Sequence, residues 1–361
     1  MDRSYAGTRL VLLGTAGGSA TYMVDEDGRK DARHGISSAL VVDGHVYLVD
    51  VGQGAARQLT FADIGGRGPT QALSNLQAVF LTHLHSDHTM DLANLLHCSY
   101  NQGWRSDGPV DVFGPGPRGR LPAATSAPAS LAVCSSDPTP GTRTFVSRLI
   151  EAFSTDLNDR VFAGGKRHPV SLVRAHDVIP PGIEVDPNYC THPPVQPWVV
   201  ATDDRVTVSA TLVAHGAMYP CLAYRFDTAD GSVVFSGDTS PSHNLVRLSQ
   251  GADVLVHEAI HRQYGEWQFG PGPHSIAEQA SIEATMSKHT STDQVGGVAQ
   301  AAGVSALVLS HLVPASIPGQ RWASAIHGFD GKVIVGEDLL EIEVRCGALP
   351  ADVVLPVNRV T

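Results

Sequence analysis

Short apolar runs that stop at a glycine or at a polar residue recur along the chain. "RLVLLGTAGG" ends in a glycine turn, Gly14 to Ser19. "SALVVDGHVYLVDVG" is two β-rich runs around Asp43-Gly44, the strongest short-range signal for a hairpin. "AVFLTH" and "VDVFGPG" follow, and between them apolar residues recur at helical spacing from Met90 to about Ser99. The second half adds "VTVSATLVAH", "CLAYRF", "SVVFSGD", "DVLVHEA", "ALVLSH" and "KVIVGED". Helical stretches lie between several of these, among them Ser291 to Ala302, with Ser291 or Thr292 as N-cap. The pattern is mixed α/β with one group of strands in each half. Hairpins in the first group argue against a purely parallel, doubly wound sheet. Residues 116–200 are rich in Pro and Ser and weakly periodic, which predicts an inserted cap within a single domain spanning 1–361.

Composition changes this picture little. The 361 residues are 42% hydrophobic and 17% charged, as in an ordinary globular protein. No apolar run reaches membrane-spanning length, so no membrane partner is expected and the predicted location is cytoplasmic. The five cysteines are scattered and lack CxxC spacing, which suits idle thiols in a reducing compartment. The net charge of −11 repels polyanions, and on that ground nucleic acid is set aside as a partner.

The 17 histidines are the outlying number. "LTHLHSDHT" places His83, His85, Asp87 and His88 on one turn after an apolar strand. Imidazole and carboxylate suit zinc and other divalent first-row metals. Four such groups on one turn crowd a single tetrahedral ion, whereas two ions about 3.5–4 Å apart can share them. His215, Asp238 and His311 are each the polar stop of a later apolar strand, and a sheet presents such ends along one edge. Asp50, which ends "VYLVD", is a candidate to orient a ligand histidine from behind. His257 reads as a core histidine rather than a ligand.

"HLHSDH" resembles the HxHxDH signature of the metallo-β-lactamase superfamily. "AHG…YRF", "SVVFSGDT", "VLVHEA", "KHTS" and "LSH" resemble, in order and setting, the motifs of its ribonuclease Z and arylsulfatase-like branch. The resemblance implies an αββα sandwich. It also implies one zinc on His83, His85 and His215, a second on Asp87, His88 and His311, and Asp238 bridging the two. Mn²⁺ or Fe²⁺ would suit the same donors. By the same resemblance Glu258 is an orienting carboxylate and His289 a proton donor, with Asp87 also in the reacting site.

Ribonuclease Z carries a long basic arm between the strands that end here in His215 and Asp238. This chain has only "YRFDTADGSVVFSGD", with Asp230-Gly231 as a tight hairpin. The chain also lacks the cysteine ligand of the commonest zinc β-lactamases, and position 85 is not the carboxylate of the di-iron flavoprotein branch. The expectation is therefore a di-zinc hydrolase that cleaves a small ester, a phosphodiester or an aryl sulfate, with a metal-bridging hydroxide. A lactone, carboxylic ester or β-lactam is one alternative, and ribonuclease Z-like RNA processing is another. A non-catalytic scaffold fits less well, because the seven-ligand set is intact. A homodimer is left open.

Overall fold

The computed structural model describes residues 6–18, 33–66, 71, 73–105, 107–123, 131–347 and 353–354. Ser19, the last residue of the expected glycine turn, and residues 124–130 of the expected cap lie outside them.

The first sheet holds eight strands: β1 (Thr8–Gly14), β2 (Ser37–Val42), β3 (His45–Val49), β4 (Leu76–Phe80), β5 (Val110–Pro115), β6 (Val173–Val178), β14 (Leu340–Glu343) and β15 (Val353–Val354), in the order β15-β14-β1-β2-β3-β4-β5-β6. The second holds seven: β7 (Trp198–Thr202), β8 (Thr207–Leu212), β9 (Leu222–Asp227), β10 (Ser232–Phe235), β11 (Val254–Ile260), β12 (Ala306–Val313) and β13 (Lys332–Val335), in the order β13-β12-β11-β10-β9-β8-β7. Each sheet is antiparallel in one part and parallel in the other: β3 to β6 run parallel in the first, and β10 to β13 in the second.

The layers follow from side-chain alternation. Leu10 and Leu12 of β1 pack between the sheets, with Phe80, Tyr224, Phe226, Val256 and Val308. Val11 and Leu13 face the other way, into a second core under helices α1 (Ala55–Phe61), α3 (Leu92–Gln102) and α4 (Thr142–Ala152). A third core lies outside the second sheet, where α6 (His243–Ser249), α9 (Thr292–Ala302) and α10 (Gly319–Ala325) cover Leu255, Leu307 and Leu309; in chain order α5 (Ser154–Asn158) precedes α6, and α7 (Tyr264–Phe269) and α8 (Ile276–Met286) precede α9. The result is the expected αββα sandwich. Strands buried on both faces read as continuous apolar runs, which is why "SALVV" and "VLVHEA" lack polar alternation.

The Asp43-Gly44 hairpin forms between β2 and β3, with φ of 48° and 80° at its two central residues. The helix over Ser291–Ala302 is α9, and Ser291 and Gln294 form a capping box at its start. The helix expected from Met90 is split. A short α2 (Ser86–Thr89) winds within the histidine turn, and α3 starts at Leu92. Asp91 separates them because its carboxylate accepts from the Ala56 backbone N–H at 2.7 Å and so ties the turn to α1.

Residues 116–200 differ from a simple cap. α4 packs on β5 and β6 as part of the outer layer, and β6 is itself the edge strand of the first sheet. The Pro-rich remainder is held by Arg118, whose guanidinium donates to the Pro187 carbonyl and to Asn188 Oδ1.

Candidate functional site

The parallel strands deliver the polar stops to one edge. β4 ends at Phe80, and Thr82 then anchors the turn: its backbone N–H and its hydroxyl each donate to Asp50 at 2.8 Å. The Val51 N–H donates to the His88 carbonyl at 2.8 Å, which fastens the far side of the turn to the end of β3. Asp50 has φ 57°, and its carboxylate faces the turn from behind. His215 follows β8, Asp238 follows β10, and His311 lies within β12 at φ 44°.

The seven expected ligand residues converge as two groups. Ligand-capable atoms of His83, His85 and His215 lie within 4.8 Å of one another, and so do those of Asp87, His88, Asp238 and His311. Asp238 faces both groups with different oxygens. Its Oδ2 stands 3.7 Å from His215 Nε2 and 4.0 Å from His83 Nε2. Its Oδ1 stands 3.3 Å from both His88 Nε2 and His311 Nε2. Asp87 Oδ2 completes the second group, 3.4 Å from His311 Nε2 and 3.6 Å from His88 Nε2. Two donors each about 2.0–2.1 Å from one tetrahedral ion stand roughly 3.3 Å apart, so these separations suit metal coordination.

The hydrogen bonds behind the cluster decide which ring atoms face it. His88 Nδ1 meets Asp50 Oδ2 at 2.8 Å, and His215 Nδ1 meets the Lys288 carbonyl at 3.0 Å. Each pairing leaves Nε2 for the site. His83 Nε2 and His85 Nδ1 lie 2.9 Å apart and face the same space. The buried His88 Nε2 and Asp238 Oδ1 have no hydrogen-bond partner. Buried polar atoms are normally satisfied, so this pair points to an ion rather than to a protein partner. The donor set and its spacing fit a metal centre.

Electrostatics agree with the geometry at His83, His85 and His215. Burial pushes His83 well below the usual imidazole range and His85 down to about 4. His215 is lowered too, again chiefly by burial. Neutral imidazole is the form that binds metal. Burial works against the Asp238 charge, but His311 and His88 outweigh it and hold the carboxyl well below its usual range. His88 shows the reverse balance: burial lowers it, while Asp238 and Asp50 raise it further.

His289 and Glu258 stand beside the cluster. Glu258 Oε1 meets His289 Nδ1 at 3.1 Å and accepts from the backbone N–H groups of Thr239 and Thr290, both at 3.1 Å. Burial disfavours an imidazolium at His289, yet the Glu258 charge and hydrogen bond raise it to about 9. His257 is buried, and its Nδ1 meets the Glu258 carbonyl at 2.6 Å. Sequence reading missed three supports. The Thr82 hydroxyl carried a signal, a polar residue directly before the first ligand. The Lys288 carbonyl and the Gly18 N–H, which donates to Asp87 Oδ2 at 3.1 Å, are backbone groups and leave no trace in residue type.

Comparison with known proteins agrees with this fold. Residues 32–280 match the family model described as the metallo-beta-lactamase superfamily. A ribonuclease Z of Mycobacterium sp. (strain KMS) is 32% identical over 321 residues, which is 88% of this chain and 93% of the relative. Among solved structures, the metallo-beta-lactamase fold protein YhfI from Bacillus subtilis has a TM-score of 0.56 at 17% identity, covering 93% of this chain and 99% of that one. The short form of human tRNase Z has a TM-score of 0.53 at 18% identity, covering 93% and 99%. At such identity the two structures show the fold alone. The Mycobacterium relative corrects one expectation. Nucleic acid was set aside on net charge and on the missing arm, yet a protein so similar over nearly its whole length is named for cutting RNA. Net charge sums the entire surface, whereas a polyanion meets a local field, and bound cations are the largest local charges in such a site. No helix among the described residues is long and apolar enough to cross a membrane.

Proposed function

We propose, from the premise that the chain belongs to the metallo-beta-lactamase superfamily and is a metal-dependent hydrolase of it, that this protein is a ribonuclease Z-like phosphodiesterase acting on RNA. The observation that carries the reading is the coincidence of two facts. Asp238 faces two histidine-rich groups with its two oxygens, and the similar ribonuclease Z extends over 88% of the chain.

In this reading His83, His85 and His215 would hold one zinc, Asp87, His88 and His311 a second, and Asp238 would touch both. Such ions supply Lewis acidity toward a phosphoryl oxygen and make water a nucleophile near neutral pH. The remaining work belongs to the chain. Asp50 fixes the tautomer of His88, and the Lys288 carbonyl fixes that of His215. His289 holds a proton at Nε2 for the departing oxygen, and Glu258 keeps the ring oriented through Nδ1. His83, His88, His215, Asp238 and His311 are buried, which strengthens the interactions they make, while exposed His85 and half-buried Asp87 leave the cluster open to solvent on that side.

One feature favours a second reading, a small phosphodiester or aryl sulfate. β9 and β10 are joined by residues 228–231 alone, so no arm extends between them to grip a large RNA. A panel of precursor transfer RNA, bis(nitrophenyl) phosphate and an aryl sulfate, offered to the metal-loaded protein, separates the two. The RNA reading expects cleavage of the precursor at a defined position. Turnover of the small esters with no RNA cleavage would replace it with the second reading.

A further inference from the structure

Behind the cluster, two inward-facing residues carry polar atoms that no protein group satisfies. Along β11, Val254 and Val256 pack between the sheets and Leu255 packs under the outer helices. Along β12, Val308 faces inward while Leu307 and Leu309 face outward. Glu258 and Ser310 continue the inward series, and they are register partners on these two parallel strands. Neighbouring strands stand about 4.8 Å apart, so the two side chains are within reach of each other through one bridging molecule. Both residues are only 2% exposed.

Glu258 uses one oxygen heavily and the other not at all. Oε1 meets His289 Nδ1 and the Thr239 and Thr290 N–H groups, while Oε2 has no partner. Ser310 Oγ is likewise buried without a partner. Both residues line one partly open cavity of about 30 Å³, whose wall also includes Asp50, Thr82 and the proposed ligand residues His88, Asp238 and His311. A water needs about 10–15 Å³ measured in the same way and at least two polar partners, and this cavity offers both. A carboxylate bonded at one oxygen only is soft about its terminal torsion, which has broad wells. A bond at the second oxygen removes that freedom.

We propose that Ser310 is a positioning residue: its hydroxyl, with one water in this cavity, holds Oε2 of Glu258 and so keeps Oε1 turned toward His289. The proposal rests on the reading of His289 as the proton donor. Ser310 touches neither substrate nor metal in this scheme and acts through Glu258.

The test combines a near-atomic-resolution crystal structure of the metal-loaded protein with rates for Ser310→Ala and Ser310→Thr. The probes are diphenyl phosphate, whose leaving group needs a proton, and bis(nitrophenyl) phosphate, whose leaving group hardly does. The expected structure has one ordered water bonded to Ser310 Oγ and Glu258 Oε2. Ser310→Ala should keep its metal, lose about tenfold on diphenyl phosphate, the rate equivalent of one hydrogen bond, and lose less on bis(nitrophenyl) phosphate. Ser310→Thr, which retains the hydroxyl, should recover the difference. A dry cavity, an equal loss on both esters, or loss of metal in Ser310→Ala would overturn the proposal. His289→Ala on the same two esters keeps the failures apart. If it shows no leaving-group dependence, the proton-donor reading fails, and the water together with the Glu258 torsion in crystals of Ser310→Ala decides the role of Ser310.

Discussion

Asp50 Oδ2 lies 2.8 Å from His88 Nδ1 while the other oxygen of the same carboxylate accepts from the Thr82 N–H, also at 2.8 Å. One buried side chain thus fixes both the tautomer of His88, a proposed ligand, and the path of the turn that carries three further proposed ligands, His83, His85 and Asp87. Asp50→Ala should lower metal affinity about 10–100-fold, the range found when a group behind a ligand is removed. The unpaired Thr82 N–H should cost a further 1–3 kcal/mol or so of folding stability. Chelator competition and denaturant unfolding read the two effects separately. Unchanged metal affinity in a folded variant would make Asp50 a turn residue only.

Asp238→Ala should impair metal retention more than loss of any single histidine. Its two oxygens face different ligand groups, and its charge offsets the mutual repulsion of two cations. Metal content of the purified variant checks this. Two ions retained with near-normal turnover would contradict it.

His289→Ala should keep its metal yet slow turnover by about 10²–10⁴-fold on esters with poor leaving groups. The wild-type imidazole is protonated below about 9 in the metal-free protein, because Glu258 outweighs burial. Rising pH therefore removes the donated proton. Rates on a poor leaving group should fall on the alkaline side, and that limb should vanish in the variant. Metal loading should bring the His289 titration down, since divalent cations nearby disfavour an imidazolium. Ring NMR shifts with and without zinc measure the direction, and an upward move would count against the placement of the ions.

Removal of metal should abolish hydrolysis and lower the melting temperature. An ion that binds only the folded chain stabilises it by RT ln(1 + [L]/Kd), about 4 kcal/mol at a thousandfold excess over Kd. A calorimetric scan before and after chelation, then after zinc is restored, reads this. An unchanged melting temperature would mean that the buried His and Asp groups are satisfied without metal.

Much of this was legible in the sequence because strand-end polar residues leave a local mark. An apolar run that stops at His215 or Asp238 shows both where the strand ends and which edge it faces, whereas β12 runs on past His311 to Val313, so that histidine is presented by a left-handed backbone position inside the strand rather than by its end. The Asp43-Gly44 hairpin and the start of α9 were equally local. The expected cap failed in part: strand β6 takes its structure from pairing with β5 rather than from its own pattern, whereas α4 carries apolar residues at helical spacing, Phe145, Val146, Leu149 and Ile150, inside a stretch whose Pro and Ser content masked them. The helix start near Met90 was displaced by a tertiary bond, from the Ala56 N–H to Asp91, that no periodicity signals. Nucleic acid was misjudged because net charge carries no positional information. Ser310 and the Lys288 carbonyl matter through what lies across from them, which only the folded chain shows.

Asp238 is proposed to join two metal ions held by two sets of side chains. Anomalous diffraction at the zinc edge from crystals of the reconstituted protein tests it most directly. Two peaks are expected, one within coordination distance of His83, His85 and His215, the other of Asp87, His88 and His311, with a different Asp238 oxygen on each. A single peak, or Asp238 in contact with one ion only, would contradict it.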